Sequence, residues 1–156
     1  MSLLHPHCFY RDHVRPLAFS FFFGFALLHA GVDEVVHLLA LELSRCGLSV
    51  ASDIAAGRAE HDAPVPRRFF RSVLTAALLA WCDQTAGAGV LRMTGSCDAN
   101  GVVLKLQFEA AGSAPPEDAV SPQRRIDWGD VEAMAKSFNV KLARGDGWLT
   151  LDLPAD

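Results

Sequence analysis

Apolar positions recur along this chain at two spacings, and the points where one gives way to the other divide it into elements. Val32, Val35, Val36, Leu39 and Leu43 step by threes and fours, which makes one face of a helix, and Gly47 ends that run. Asp33 and Glu34 in its first turn and Arg45 in its last suit the helix dipole. Ahead of it, Phe19 to Leu28 is an aromatic run flanking Gly24 that predicts a strand, and Leu48 to Ala51 behind it predicts a second. Ala55 to Val65 is rich in Ala, Gly, Pro and charge and predicts a loop. Pro66, whose ring presets the backbone angle of a first helical turn, then opens a helix that continues through "FFRSVLTAALLAWCDQTAGAG" into a glycine-rich loop.

From Gly89 the period becomes two. Val90 to Thr94 and Val102 to Phe108 predict a hairpin about "CDANG", where Asn100 and Gly101 tolerate positive φ. Ala110 to Arg125, "AAGSAPPEDAVSPQRR", carries three prolines and no period, the mark of a long irregular loop. Asp127 or Asp130 caps a third helix with Val131, Met134, Ala135 and Phe138 turned inward. Val140 to Ala143 and Trp148 to Leu153 close the chain as a hairpin about Gly145-Asp146-Gly147. This order predicts an α/β (α+β) two-layer sandwich, three helices on one face of a mixed, mainly antiparallel sheet. Residues 1–18 are expected to be an N-terminal extension and 19–156 one domain, and Met1-Ser2-Leu3, which has the form of a cloning remnant, suggests a piece excised from a longer sensor protein.

Composition narrows the function. With 156 residues, 51% of them hydrophobic, the chain can bury one core and does not suffice for two full domains. A net charge of −4 with scattered Lys and Arg offers no basic face, so nucleic acid is not an expected partner. Arg67, Arg68 and Arg71 cluster at a helix start, where they are expected to form a solvated rim. The apolar run Leu17 to Leu28 falls short of the roughly twenty residues of a membrane-crossing helix, so no membrane contact is expected. Cys8, Cys46, Cys82 and Cys97 are far apart with no Cys-x-x-Cys pair, which suits a reducing, cytoplasmic setting.

Candidate chemistry is sparse. His5, His7, Cys8 and His13 include zinc-ligand types, but in a tail without fixed geometry they are not expected to hold a metal. His29 and His37 are expected to be structural. The long helix carries Ala76, Ala77, Ala80 and Trp81 where a functional helix would carry polar groups.

Four strings in order resemble the catalytic and ATP-binding domain of sensor histidine kinases, the Bergerat or GHKL fold. "VDEVVHLLALELSRCGLSVASDI" resembles its first helix and following strand. "PRRFFRSVLTAALLAWCDQT" resembles the segment that carries the N box. "VVLKLQFEAAGSAPPED" resembles the strand leading to the Asp-x-Gly-x-Gly box, and "DVEAMAKSFNVKLARGDGWLTLDLP" resembles the closing helix and hairpin. The likeness spans about Leu27 to Pro154.

The resemblance also implies what this chain has lost. In the family two asparagines one turn apart line the pocket and the second holds the Mg²⁺ that bridges the ATP phosphates; the matching positions are Ala76 and Ala80, and methyl groups cannot ligate Mg²⁺. Trp81 stands where a small residue is usual and Asp83 where a lysine is usual. The adenine-binding aspartate falls at Glu109 with its glycines at Ala111 and Ser113; if the alignment slips by one, only Gly112 survives. The lid segment between Ala119 and Val131 has one glycine, and no phosphate cradle is legible there.

The resemblance therefore implies a degenerate histidine-kinase-like domain of two-component signalling, leaning non-catalytic, with no cofactor. It would work by docking a protein such as a response regulator, a kinase dimerisation hairpin or its own copy. The hairpin with the phosphoacceptor histidine is not expected within this chain, and "DHVRPLAF" about His13 is one residue short of the family's His-x-x-Arg-x-Pro-Leu box. One alternative is a working ATP site rebuilt from Glu109, Gln84 and Thr85 with Asp83 on the Mg²⁺. Another is a dimerisation module that pairs through the Phe-rich N-terminal strand.

Overall fold

The computed structural model describes residues 24–84, 88–112 and 126–154. In chain order the elements are β1 (Phe25–Leu27), α1 (Leu28–Leu38), α2 (Ala40–Arg45), β2 (Leu48–Ser52), β3 (Pro64–Pro66), α3 (Arg67–Gln84), β4 (Gly89–Asp98), β5 (Gly101–Ala110), α4 (Trp128–Ser137), β6 (Lys141–Gly145) and β7 (Trp148–Pro154). Five strands form one sheet in the order β2-β4-β5-β7-β6, with β2 parallel to β4 and every other neighbour antiparallel. The expected mixed, mainly antiparallel sheet is present.

Side-chain alternation puts all the helices on one side of it. Leu91 and Met93 of β4, Leu104 and Leu106 of β5, and Leu149 and Leu151 of β7 are buried, while Arg92, Lys105, Gln107 and Thr150 between them face the other way. Leu28, Val32 and Val35 of α1, Phe70, Val73, Leu74, Ala77 and Leu78 of α3, and Val131 and Ala135 of α4 complete the same core. Burying a leucine-sized side chain contributes about 1.5 to 3 kcal/mol, so this one apolar layer carries the fold. Among the described residues no helix is long and apolar enough to cross a membrane.

The first helix departs from expectation at both ends. The predicted strand ends at Leu27, only Phe25–Leu27 of it is extended within the described residues, and α1 begins at Leu28. Asp33 and Glu34 therefore lie beyond the first turn and do not serve the helix dipole. The free N–H groups of Leu28 and His29 donate instead to the carbonyls of Ala63 and His61, at 2.9 and 3.0 Å, so the loop before β3 caps α1 through its backbone. The single expected helix is broken at Leu39 (φ −96°, ψ 5°). The bonds Leu39 N–H to Val35 and Leu43 N–H to Leu39 span the break, and both leucines stay buried.

β1 and β3 pair antiparallel as a separate small sheet, and each leads directly into a helix. Pro64–Pro66 was expected partly as loop; the helix opens at Arg67, just after Pro66. Glu34 receives Arg67 through both carboxylate oxygens (3.2 and 3.3 Å) and Arg71 at 3.2 Å, so two of the expected rim arginines tie α3 to α1. Below them α1 and α3 approach closely: a Cβ on Gly31 would lie 3.0 Å from the Phe70 ring. The β4–β5 hairpin turns through Ala99 and Asn100, and only Gly101 takes a positive φ there.

Candidate functional site

The helix singled out by its alanines is α3, and its C-terminal half is closed against α4. Ala76 is 7% exposed, Ala80 0% and Trp81 6%. Trp81 meets Trp128, the first residue of α4, edge to face with centroids 6.0 Å apart. Such aromatic pairs add about 0.5 to 1.5 kcal/mol beyond their area. The Arg144 guanidinium lies 5.1 Å from the Trp128 ring centroid and is held from the side by Glu132 at 3.1 Å. At the opposite end Phe69 stacks on Phe138 with centroids 4.4 Å apart, so two aromatic pairs pin α3 and α4 antiparallel.

Asp83 belongs to this junction. Its carboxylate accepts the Ile126 N–H at 2.9 Å, anchoring the chain just before α4. Asp127 occupies the expected cap position without a side-chain cap bond; its carbonyl accepts the Asp130 N–H at 3.0 Å.

Glu109 lies elsewhere. Phe108 pairs in register with the buried Leu91 and faces the helices, so Glu109, one residue on, is turned to the open side of the sheet. There it accepts from Arg92 at 3.4 Å with both side chains well exposed. The structure does not bring Glu109 together with Ala76 and Ala80: a sheet separates them, because one residue of strand reverses the side-chain direction. The same alternation puts Ala110 on the helix side, exposed at the strand end, two residues before Gly112. That spacing is the slipped alignment, in which Ala110 takes the place of the adenine-binding aspartate. Gly112 has φ 71° and open space where a Cβ would project.

Several expectations fall outside the described residues: His5, His7, Cys8 and His13, the stretch Phe19 to Phe23, Thr85, the Gln84 side chain, Ser113, and residues 119–125 of the candidate lid between Ala119 and Val131. Among the described residues no three His, Cys, Asp or Glu side chains gather as metal ligands.

Two constellations were not legible beforehand. His61, 3% exposed, receives the Ala55 N–H on Nδ1 at 3.0 Å, which leaves its proton on Nε2, 3.3 Å from the Gly95 carbonyl. Its backbone carbonyl accepts from His29 Nδ1 at 3.2 Å, and that same nitrogen lies 3.0 Å from Asp62. His29 is thus structural, as expected, while the buried histidine sits in a stretch whose composition indicated only a loop. The second is a pair of thiols, Cys46 and Cys82, whose sequence separation conceals their contact.

No family model and no curated protein matches the chain. Solved structures do. A histidine kinase of Acinetobacter baumannii, AdeS, aligns at TM-score 0.60 and 19% identity over 83% of this chain and 66% of its own, so the chain spans just under two thirds of that structure. The catalytic domain of the histidine kinase ThkA aligns at TM-score 0.57 and 15% identity, over 83% of this chain and 93% of that domain. The ATP-binding domain of PrrB from Mycobacterium tuberculosis aligns at 0.55 and 14%, over 85% and 96%. The chain has the fold of histidine-kinase ATP-binding domains, a GHKL-type α+β sandwich.

Proposed function

From that fold as premise, we propose that the chain is a degenerate histidine-kinase-like domain of two-component signalling that binds no nucleotide and acts by docking a protein. Its partner is a response regulator, a kinase dimerisation hairpin or a second copy of itself. The observation that carries the reading is the closure of α3 on α4. Ala76 and Ala80 are buried, and Trp81, the residue after Ala80, packs edge to face on Trp128 of α4. Nucleotide with Mg²⁺ does not fit these residues. Buried methyls supply no oxygen ligand, Ala110 supplies no acceptor for an adenine amino group, and Glu109 faces away. The rebuilt ATP site draws no support from this geometry, since the carboxylate it needs is turned to the other face.

The test is thermal unfolding with a non-hydrolysable ATP analogue and Mg²⁺. A ligand held at one hundred times its Kd would add about 2.7 kcal/mol. The expected change in Tm is none, and a saturable rise would overturn the loss of nucleotide binding. Docking is tested by calorimetry of the chain against a receiver domain or a kinase hairpin in nucleotide-free buffer, with binding expected. Binding that appears only when ATP is added would overturn it.

A further inference from the structure

α2 and α3 end side by side because the strands they feed are parallel neighbours. Leu48 of β2 pairs with Gly89 of β4, the Gly89 N–H donates to the Gly47 carbonyl at 3.1 Å, and a Cβ on Gly47 would lie 3.1 Å from that of Ala88. Cys46 is the residue after α2, and Cys82 lies in the last turn of α3. Both are half-buried and pack on the core, both are free thiols, and the Cys46 side chain adjoins that of Cys82. Nothing in the proposed docking role uses them.

We propose that Cys46 and Cys82 are a redox pair that a hydroperoxide converts to an intramolecular disulfide, locking the end of α2 to the end of α3. The Cys46 thiolate attacks one peroxide oxygen; the O–O bond breaks, hydroxide leaves and takes up a proton, and Cys46 becomes a sulfenic acid. The Cys82 sulfur then attacks the Cys46 sulfur, the S–O bond breaks, and water departs with the Cys82 proton. Overall two thiols and one hydrogen peroxide give one disulfide and two waters.

The division of labour follows from the surroundings. Burial first, then the adjoining Cys46 thiol, with the Asp83 and Glu42 carboxylates behind it, raise the Cys82 thiol well above its ordinary range. It is protonated at neutral pH and a poor first attacker, which leaves it as the resolving thiol. Cys82 stands between Trp81 and Asp83, the residues that fasten α3 to α4, so the bond would act on the junction described above.

The experiment uses the full chain carrying Cys8→Ser and Cys97→Ser, which leaves the pair intact. After hydrogen peroxide and alkylation, non-reducing peptide mapping is expected to recover a peptide linking Cys46 to Cys82, about 2 Da lighter than the sum of its parts. Added Cys82→Ser should stop the reaction at a sulfenic acid trapped by dimedone on Cys46, and added Cys46→Ser should leave Cys82 alkylatable. Two alkylatable thiols remaining after peroxide, separate sulfinic acids without a link, or links only between chains would each overturn the proposal.

Discussion

The two halves of the candidate site have opposite character. On α3 the expected counterparts of the pocket asparagines are sealed: Ala80 is 0% exposed and Trp81 packs edge to face on Trp128. At the end of β5 the positions of the slipped alignment, Ala110 and Gly112, are exposed among the described residues. A polar group lost from a helix that faces the core can be replaced by packing. A position at an exposed strand end has no such packing, so substitutions should be costly in the first half and, apart from Gly112 with its positive φ, nearly free in the second.

The largest expected effect is on the sealed side. Trp81→Ala removes the ring that closes α3 on α4 and should lower unfolding stability by about 3 to 5 kcal/mol in a urea titration. A loss under about 1 kcal/mol would mean the junction is not packed as described. Next is Ala80→Asn, which introduces the residue expected there from the resemblance. It buries an amide with no partner and overfills a packed site, so it should cost about 2 to 4 kcal/mol and confer no nucleotide-dependent Tm shift.

Cys82 sharpens the same contrast through pH. Its thiol is raised in the folded state from the ordinary value of 9.0. Above that value the unfolded chain therefore binds fewer protons than the folded one, and stability falls as pH rises. Below it the term vanishes. Cys82→Ser should flatten the alkaline slope by at most about 1 kcal/mol per pH unit, read from urea midpoints between pH 8 and 10 (roughly bracketing the ordinary thiol value).

Smaller still is Thr75→Val. The Thr75 hydroxyl is enclosed without a hydrogen-bond partner among the described residues, so removing it should stabilise the protein by about 1 kcal/mol. On the open side Glu109→Ala severs only an exposed pair with Arg92 and should change stability by less than about 1 kcal/mol. Its effect on any partner binding reads whether the open face of the sheet takes part.

Much of this was legible in the chain, for local reasons. The step of three and four through Val131 and Ala135 and the alternation through Leu104 and Leu106 placed α4 and β5, because each period allows one buried face. The misreadings came where a decision was not local. The first helix looked as though it opened near Val32 with Asp33 and Glu34 in its first turn, yet it begins at Leu28, because distant carbonyls at His61 and Ala63 take its first N–H groups. Glu109 looked like the pocket acid because its charge matched, while the direction of its side chain depends on which residues of β5 lie against Leu91 and the helices.

The amino-acid order by itself determined the succession of elements, the apolar face of each and the absence of polar side chains at Ala76 and Ala80, since periodicity and residue type are properties of short stretches. Tertiary structure alone decided that Glu109 faces away, that His61 is buried, and that Cys46 meets Cys82. Those outcomes rest on strand register and on which helix ends adjoin, and both are set by contacts between residues far apart in the chain.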